Sequence, residues 1–180
     1  MSKDRELVIN YTRHLLKMDD GGTTSIDWTT PEQNGLVSKD DKLCVVYPGL
    51  SGGSDRGYIK SLVKTLIEDG YEVCVLHHRG VGDTEYTSAQ FANLVSNEET
   101  FKALTYIRER TEKTMVGVGL SMGGNVIIRN AADMPNFPLK AIVSVNNPFD
   151  IWLSINLMRG TPYEKHLANE MKRNLVVREK

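Results

Sequence analysis

Apolar positions along the 180 residues fall into two kinds of run. Four are short and nearly continuous: Leu43 to Tyr47, Glu72 to Leu76, Thr114 to Leu120, and the centre of "LKAIVSVNNP" at 139 to 148. Continuous apolar runs suit strands covered on both faces, as in a parallel sheet. The other kind repeats every three or four residues. From Tyr58, the positions Ile59, Leu62, Val63, Leu66 and Ile67 make the stripe of a helix lying on a sheet, and Gly70 ends it where a left-handed residue costs least. Ser96 with Glu99 three residues on is a capping-box spacing that opens a second helix carrying Phe101, Leu104 and Ile107. "MGGNVIIRNAAD" at 122 to 133 reads as a third, and Pro135 and Pro138 break the chain after it. The tail holds "IWLSINLM" and "HLANEMKRNLVV", two further helical patterns.

Towards the N-terminus, "MSKDRELVINYTRHLLK" places Leu7, Val8, Tyr11 and Leu15 on one side and predicts a short amphipathic helix. Gly21 and Gly22 read as a turn, Ser25 to Thr29 as a short strand, and 30 to 42 as polar surface loop. Trp28 and Trp152 are assigned to core or edge packing. Strands alternating with helices predict an α/β fold, a mainly parallel sheet with helices on both faces. Ligands bind such sheets at the carboxyl ends of the strands. The turns that follow strands directly are "PGLSGG", "HHRGVG" and "GLSMGG".

Composition narrows the function classes. A formal charge of -1 and scattered basic residues give no electrostatic footprint for nucleic acid, and "MKRN" is a solvated helix face. No stretch reaches the roughly 20 apolar residues of a membrane span. The N-terminus is too charged for a secretory signal. Cys44 and Cys74 sit inside strand runs, so free buried thiols, a reducing compartment and a cytoplasmic location are expected. They lack metal-site spacing, and no cofactor is implied. A dinucleotide fingerprint fails because Met122 stands where the third glycine should follow Gly117 and Gly119.

The chemistry concentrates in "GVGLSMGGN", a G-x-S-x-G between a strand and a helix. A serine hydroxyl needs exposure, a base and a cradle for the oxyanion before it can act as a nucleophile. A sharp turn exposes Ser121, while Gly119 and Gly123 avoid collisions as the turn tightens, and Gly124 adds room for helix packing. The amide of Met122 would point at the oxyanion from the positive end of the helix. A second amide is expected from "YPGLSGG", with Leu50 as donor and Gly49 as the bend; equally, glycines after a strand simply make a turn. His77 and His78 either line the site or bond neighbouring loops, and Arg79 and Asp83 tie loops together.

"DGG" with "DW" at 20 to 28, "PGLSGGSDRGYI" at 48 to 59, "GYEVCVLHHRG" at 70 to 80, "GVGLSMGGN" and "SVNNPFDI" at 144 to 151 together resemble the esterase and lipase branch of the α/β-hydrolases. That branch includes the YheT-like bacterial proteins and eukaryotic abhydrolase-domain lipases. The resemblance implies a serine hydrolase of carboxylic esters of lipids, such as acylglycerols, phospholipids or fatty esters, working through an acyl-enzyme on Ser121. Transfer to an alcohol would instead make it an acyltransferase. The resemblance also places the triad acid and histidine after later strands, beyond Lys180. The expectation is therefore a single, C-terminally incomplete hydrolase domain over 1 to 180. His166 is the sole histidine after Ser121 and lies in a helical pattern, and Asp150 belongs to the "NPFD" turn. Two other readings stay open: a non-catalytic remnant that binds an acyl ligand or a partner chain, and a rearranged site using His166 or His78 as base. The N-terminal anchor of eukaryotic members is not seen, so peripheral membrane contact has no support in the sequence.

Overall fold

Six strands form one mixed sheet in a computed structural model that describes residues 7–39, 41–91 and 97–176. In chain order they are β1 (Thr12–Lys17), β2 (Thr23–Thr29), β3 (Lys42–Tyr47), β4 (Glu72–His77), β5 (Thr114–Leu120) and β6 (Ala141–Val145). Their spatial order is β1-β2-β4-β3-β5-β6. The four predicted core strands β3 to β6 are mutually parallel, and β1 and β2 pair antiparallel at one side. The helices are α1 (Gly57–Glu68), α2 (Glu98–Arg108), α3 (Met122–Asp133), α4 (Ile151–Met158) and α5 (Pro162–Val176).

Strand period decides which helix covers which face. On β3, Cys44 and Val46 point to the side where α1 sends Ile59, Val63 and Ile67. Leu43, Val45 and Tyr47 point to the other side, against Leu104 and Ile107 of α2 and Val126 and Ile127 of α3. Each such aliphatic side chain, fully buried, contributes about 1.5–3 kcal/mol. Both cysteines are free and buried, and burial pushes the Cys44 thiol up to about 12, so neither is a ready thiolate. Among the described residues no helix is long and apolar enough to cross a membrane.

Several local expectations are corrected. Residues 12 to 17 form β1, not a helix: all six pair with β2, with Leu15 exposed and Leu16 buried. A six-residue ladder, and the Arg13 guanidinium on Asp27, outweigh a weak helical stripe in so short a segment. Val8 is exposed, and residues 1–6 lie outside the described ones. Ser96 also lies outside them; α2 begins at Glu98, after Asn97, whose side chain makes no capping bond. Phe101 is half exposed, because the α2 face that meets the sheet is set by Thr100, Ala103, Leu104 and Ile107. Trp28 is buried as expected, but Trp152 is 76% exposed on α4. A single 3-10 turn at Glu32–Asn34 interrupts the predicted loop, closed by Gly35 in the left-handed region.

Candidate active site

Chain order and strand order diverge between β3 and β5, where successive crossovers leave in opposite directions. A crevice opens at such a switch point, at the carboxyl ends of the strands. Two of the predicted turns meet there. Ser121 follows β5 and serves as N-cap of α3; the loop 48–56 follows β3.

Ser121 has φ 53 and ψ -121, a conformation costing about 1–3 kcal/mol for a residue with a side chain. Neighbouring bonds hold it: its amide donates to Val145 O at 2.8 Å, and its carbonyl accepts from Gly124 N at 2.9 Å. The turn is tight enough that a Cβ on Gly119 would lie 2.5 Å from Gly123 O, and one on Gly123 would lie 2.2 Å from Tyr47 O. The β6–α4 turn braces the start of α3 from outside, through Asn147 Nδ2 to Gly124 O and Asn125 Nδ2 to Pro148 O, both 3.3 Å. The brace uses the second asparagine of "VNNP", Asn147, and Asn125, which closes "GLSMGGN".

The Ser121 side chain is exposed, and among the described residues none hydrogen-bonds its Oγ. Gly49 stands beside it: a Cβ there would lie 3.2 Å from Ser121 Cβ. Leu50 comes next, in a turn closed by Gly52 N to Gly49 O at 2.9 Å with Ser51 at φ 59. Among the described residues no acceptor takes the amide of Leu50 or of Met122. The predicted residues Ser121, Met122, Gly119 and Gly123, and the turn that holds Leu50, are thus brought to one place.

The histidines are arranged differently. His77 is buried, with Nδ1 2.9 Å from Ser25 Oγ and Nε2 accepting the Ser54 amide at 3.1 Å. Burial, opposed in part by Asp27, pushes its pKa down to about 4, so the ring is neutral at pH 7. His78 lies 3.9 Å from Glu99. His14 meets Tyr106 Oη at 2.9 Å, and His166 is exposed on α5. Asp150 caps α4 by accepting from Leu153 N at 2.8 Å. Arg79 does tie loops, reaching Asp20 at 2.5 Å and Glu99 at 2.6 Å. The Arg79 bond, with Ser88 on the same carboxylate, holds Asp20 well below the usual carboxylate range.

At the far edge, β6 has a neighbour on one side alone among the described strands. Val143 and Val145 are exposed on it, as are Phe149, Trp152, Leu153 and Leu157 in the turn and helix that follow. α4 contains no charged residue.

Comparison with known proteins gives the family and the fold. The family model described as serine aminopeptidase, S33 (Hydrolase_4) matches residues 38–179. The embryogenesis-associated protein EMB8 of Picea glauca is 30% identical over 177 residues, covering 92% of this chain and 39% of that protein. Human monoacylglycerol lipase ABHD2 is 31% identical over 119 residues, covering 65% of this chain and 28% of the lipase. Among solved structures, an esterase of Pyrococcus furiosus superposes with a TM-score of 0.68 at 14% identity, covering 100% of this chain and 72% of the esterase, a likeness of fold. The chain thus spans about two fifths or less of the length of these two sequence relatives.

Proposed function

The chain belongs to the α/β-hydrolase family, in the branch described as serine aminopeptidase S33, and from that membership we propose that it is the nucleophile-bearing part of a lipid ester hydrolase. The observation that carries the proposal is the strained, exposed Ser121 at the sheet's switch point beside two main-chain amides without described acceptors. Ser121 Oγ attacks the ester carbonyl. The carbonyl oxygen becomes an oxyanion held by the amides of Met122 and Leu50, the alcohol departs, and water releases the acid from the acyl-enzyme. Esters of lipids are favoured over peptides because the relatives include a monoacylglycerol lipase and because apolar residues crowd the turn and helix after β6.

Proton transfer is the step for which this chain shows no partner among its described residues, since no histidine bonds Ser121 Oγ. On this reading the base is a group that the described residues do not present to Ser121. Exogenous imidazole tests this. With the purified chain and a p-nitrophenyl ester, hydrolysis is expected to be slow alone, to rise with imidazole beyond the additive's own rate, and to lose that excess in Ser121→Ala. An excess that survives in Ser121→Ala removes Ser121 as nucleophile. Fast hydrolysis without imidazole, lost in His78→Ala or His166→Ala, places the base inside the chain instead.

The exposed apolar helix α4 favours one second reading, an acyl-ligand or protein-binding module without turnover. Saturable binding of a fatty acid, unchanged by Ser121→Ala and accompanied by no adduct at Ser121, would support it.

A further inference from the structure

A second serine, histidine and aspartate meet inside the protein, on the far side of the loop that carries Leu50. Ser54, His77 and Asp27 are each at most 5% exposed. The Ser54 hydroxyl donates to Asp27 Oδ2, and its amide donates to His77 Nε2 at 3.1 Å. Two bonds of 2.7 Å from Arg13 fix the same carboxylate. Because Nε2 accepts the Ser54 amide, the neutral ring carries its proton on Nδ1, which donates to the buried Ser25 Oγ at 2.9 Å.

The arrangement is the reverse of what nucleophilic catalysis needs. The serine oxygen is turned to the carboxylate instead of the imidazole, and His77 Nε2 is already occupied by a main-chain amide. Buried polar groups of this kind are costly unless every partner is in place, so a satisfied set specifies one backbone position strongly. The backbone it specifies belongs to Ser54, four residues after Leu50 in a short loop. That loop holds Ser51 at φ 59, in the left-handed region that a residue with a side chain adopts only under strain. A turn strained in this way keeps its shape when its surroundings hold it. Its near end is fixed by β3, and its far end by Ser54.

We propose that Asp27, His77 and Ser54 form a buried clamp that sets the loop 49–54, and through it the Leu50 amide beside Ser121, so that they are positioning residues for ester hydrolysis. The proposal rests on the reading of Ser121 as a nucleophile, and its test separates the two. Amide hydrogen exchange in this chain reports the loop directly. In Ser54→Ala, which leaves the Arg13–Asp27 pair intact, the bonded amides of Gly52 and Ser54 are expected to exchange roughly tenfold faster while those of α3 hold their rates. Asp27→Asn is the second variant, should Ser54→Ala loosen the whole chain.

In parallel, a long-chain fluorophosphonate measures the reactivity of Ser121. The inactivation rate constant is expected to fall by about tenfold or more, as for a displaced oxyanion donor, with reversible binding unchanged. Unchanged exchange in the loop, or exchange accelerated equally everywhere, overturns the clamp. Faster loop exchange with unchanged inactivation overturns its positioning role. If the wild-type chain takes no label at all, the nucleophile reading falls, and exchange alone decides whether the clamp sets the loop.

Discussion

Gly49 and Ser121 approach so closely that a β-carbon at 49 would lie 3.2 Å from the serine's Cβ and 3.8 Å from its Oγ. Two turns distant in sequence, one after β3 and one after β5, are thereby held as a single surface. The main chain of one passes over the side chain of the other.

This approach predicts a graded effect of Gly49→Ala. At 3.2 Å a neighbour must yield by a few tenths of an ångström, which the exposed Ser121 can do without unfolding the chain. Thermal stability is expected to fall by about 1 kcal/mol or less. Fluorophosphonate reactivity of Ser121 is expected to fall by roughly tenfold, since the Leu50 amide moves with its neighbour. Equal losses in both measurements would indicate general loosening.

Gly123 and Gly57 make a sharper contrast. A Cβ on Gly123 would meet Tyr47 O at 2.2 Å and Pro48 O at 2.4 Å, rigid backbone on both counts, whereas Gly57 has open space around it. Gly123→Ala is expected to destabilise by about 2–4 kcal/mol. Gly57→Ala, in the first turn of α1, is expected to stabilise by about 0.4–1 kcal/mol through the unfolded chain. Denaturant midpoints of the two variants check the pair.

His77 makes stability depend on pH. Its folded pKa is lowered to about 4 by burial, against an ordinary value of 6.5. Below 6.5 the unfolded chain therefore binds a proton that the folded chain refuses. The stabilisation is complete above pH 6.5, declines as pH falls, and is fully lost below about 4, for a total on the order of 3 kcal/mol. Asp27 acts further down. Burial alone would raise its pKa, but the bonds from Arg13 and Ser54 outweigh burial and hold it below the usual carboxylate value, so its contribution is lost in stronger acid. Urea unfolding at a series of pH values should show this decline in the wild-type chain. In His77→Gln the slope between 6.5 and 4 should flatten around a lower plateau.

The β6 edge and α4 predict self-association. Exposed Val143, Trp152 and Leu157 form a surface of the kind that proteins bury or guard with charge. Sedimentation of the chain should show concentration-dependent oligomers. Val143→Lys with Trp152→Ser should reduce them and leave the unfolding midpoint within about 0.5 kcal/mol, because both side chains face outward.

The legible parts of the sequence were those where local pattern and tertiary environment agree. The runs "LCVVY" and "VCVL" are apolar throughout because both their faces are covered, and they and the nearly apolar "TMVGVGL" each became a core strand. The start of α3 directly after Ser121 was legible for the same reason: strand, serine and helix follow without a spare residue. The first strand was not, because "TRHLLK" has no strict alternation and owes its conformation to a ladder with β2 and an ion pair with Asp27, both non-local. Trp152 was misplaced because an aromatic residue in an apolar helix reads as core wherever the covering partner is not visible. The buried set around Ser54 was hidden for another reason. Its members come from β2, the loop after β3 and β4, and only a folded sheet brings "DW", "GSD" and "HH" together.

Mass spectrometry of the intact chain after treatment with a fluorophosphonate, followed by peptide mapping, tests the nucleophile most directly. A single adduct on Ser121, formed slowly and accelerated by imidazole, is the predicted result. An adduct on another serine, or an unmodified Ser121 under conditions that label an active esterase in the same tube, would contradict it.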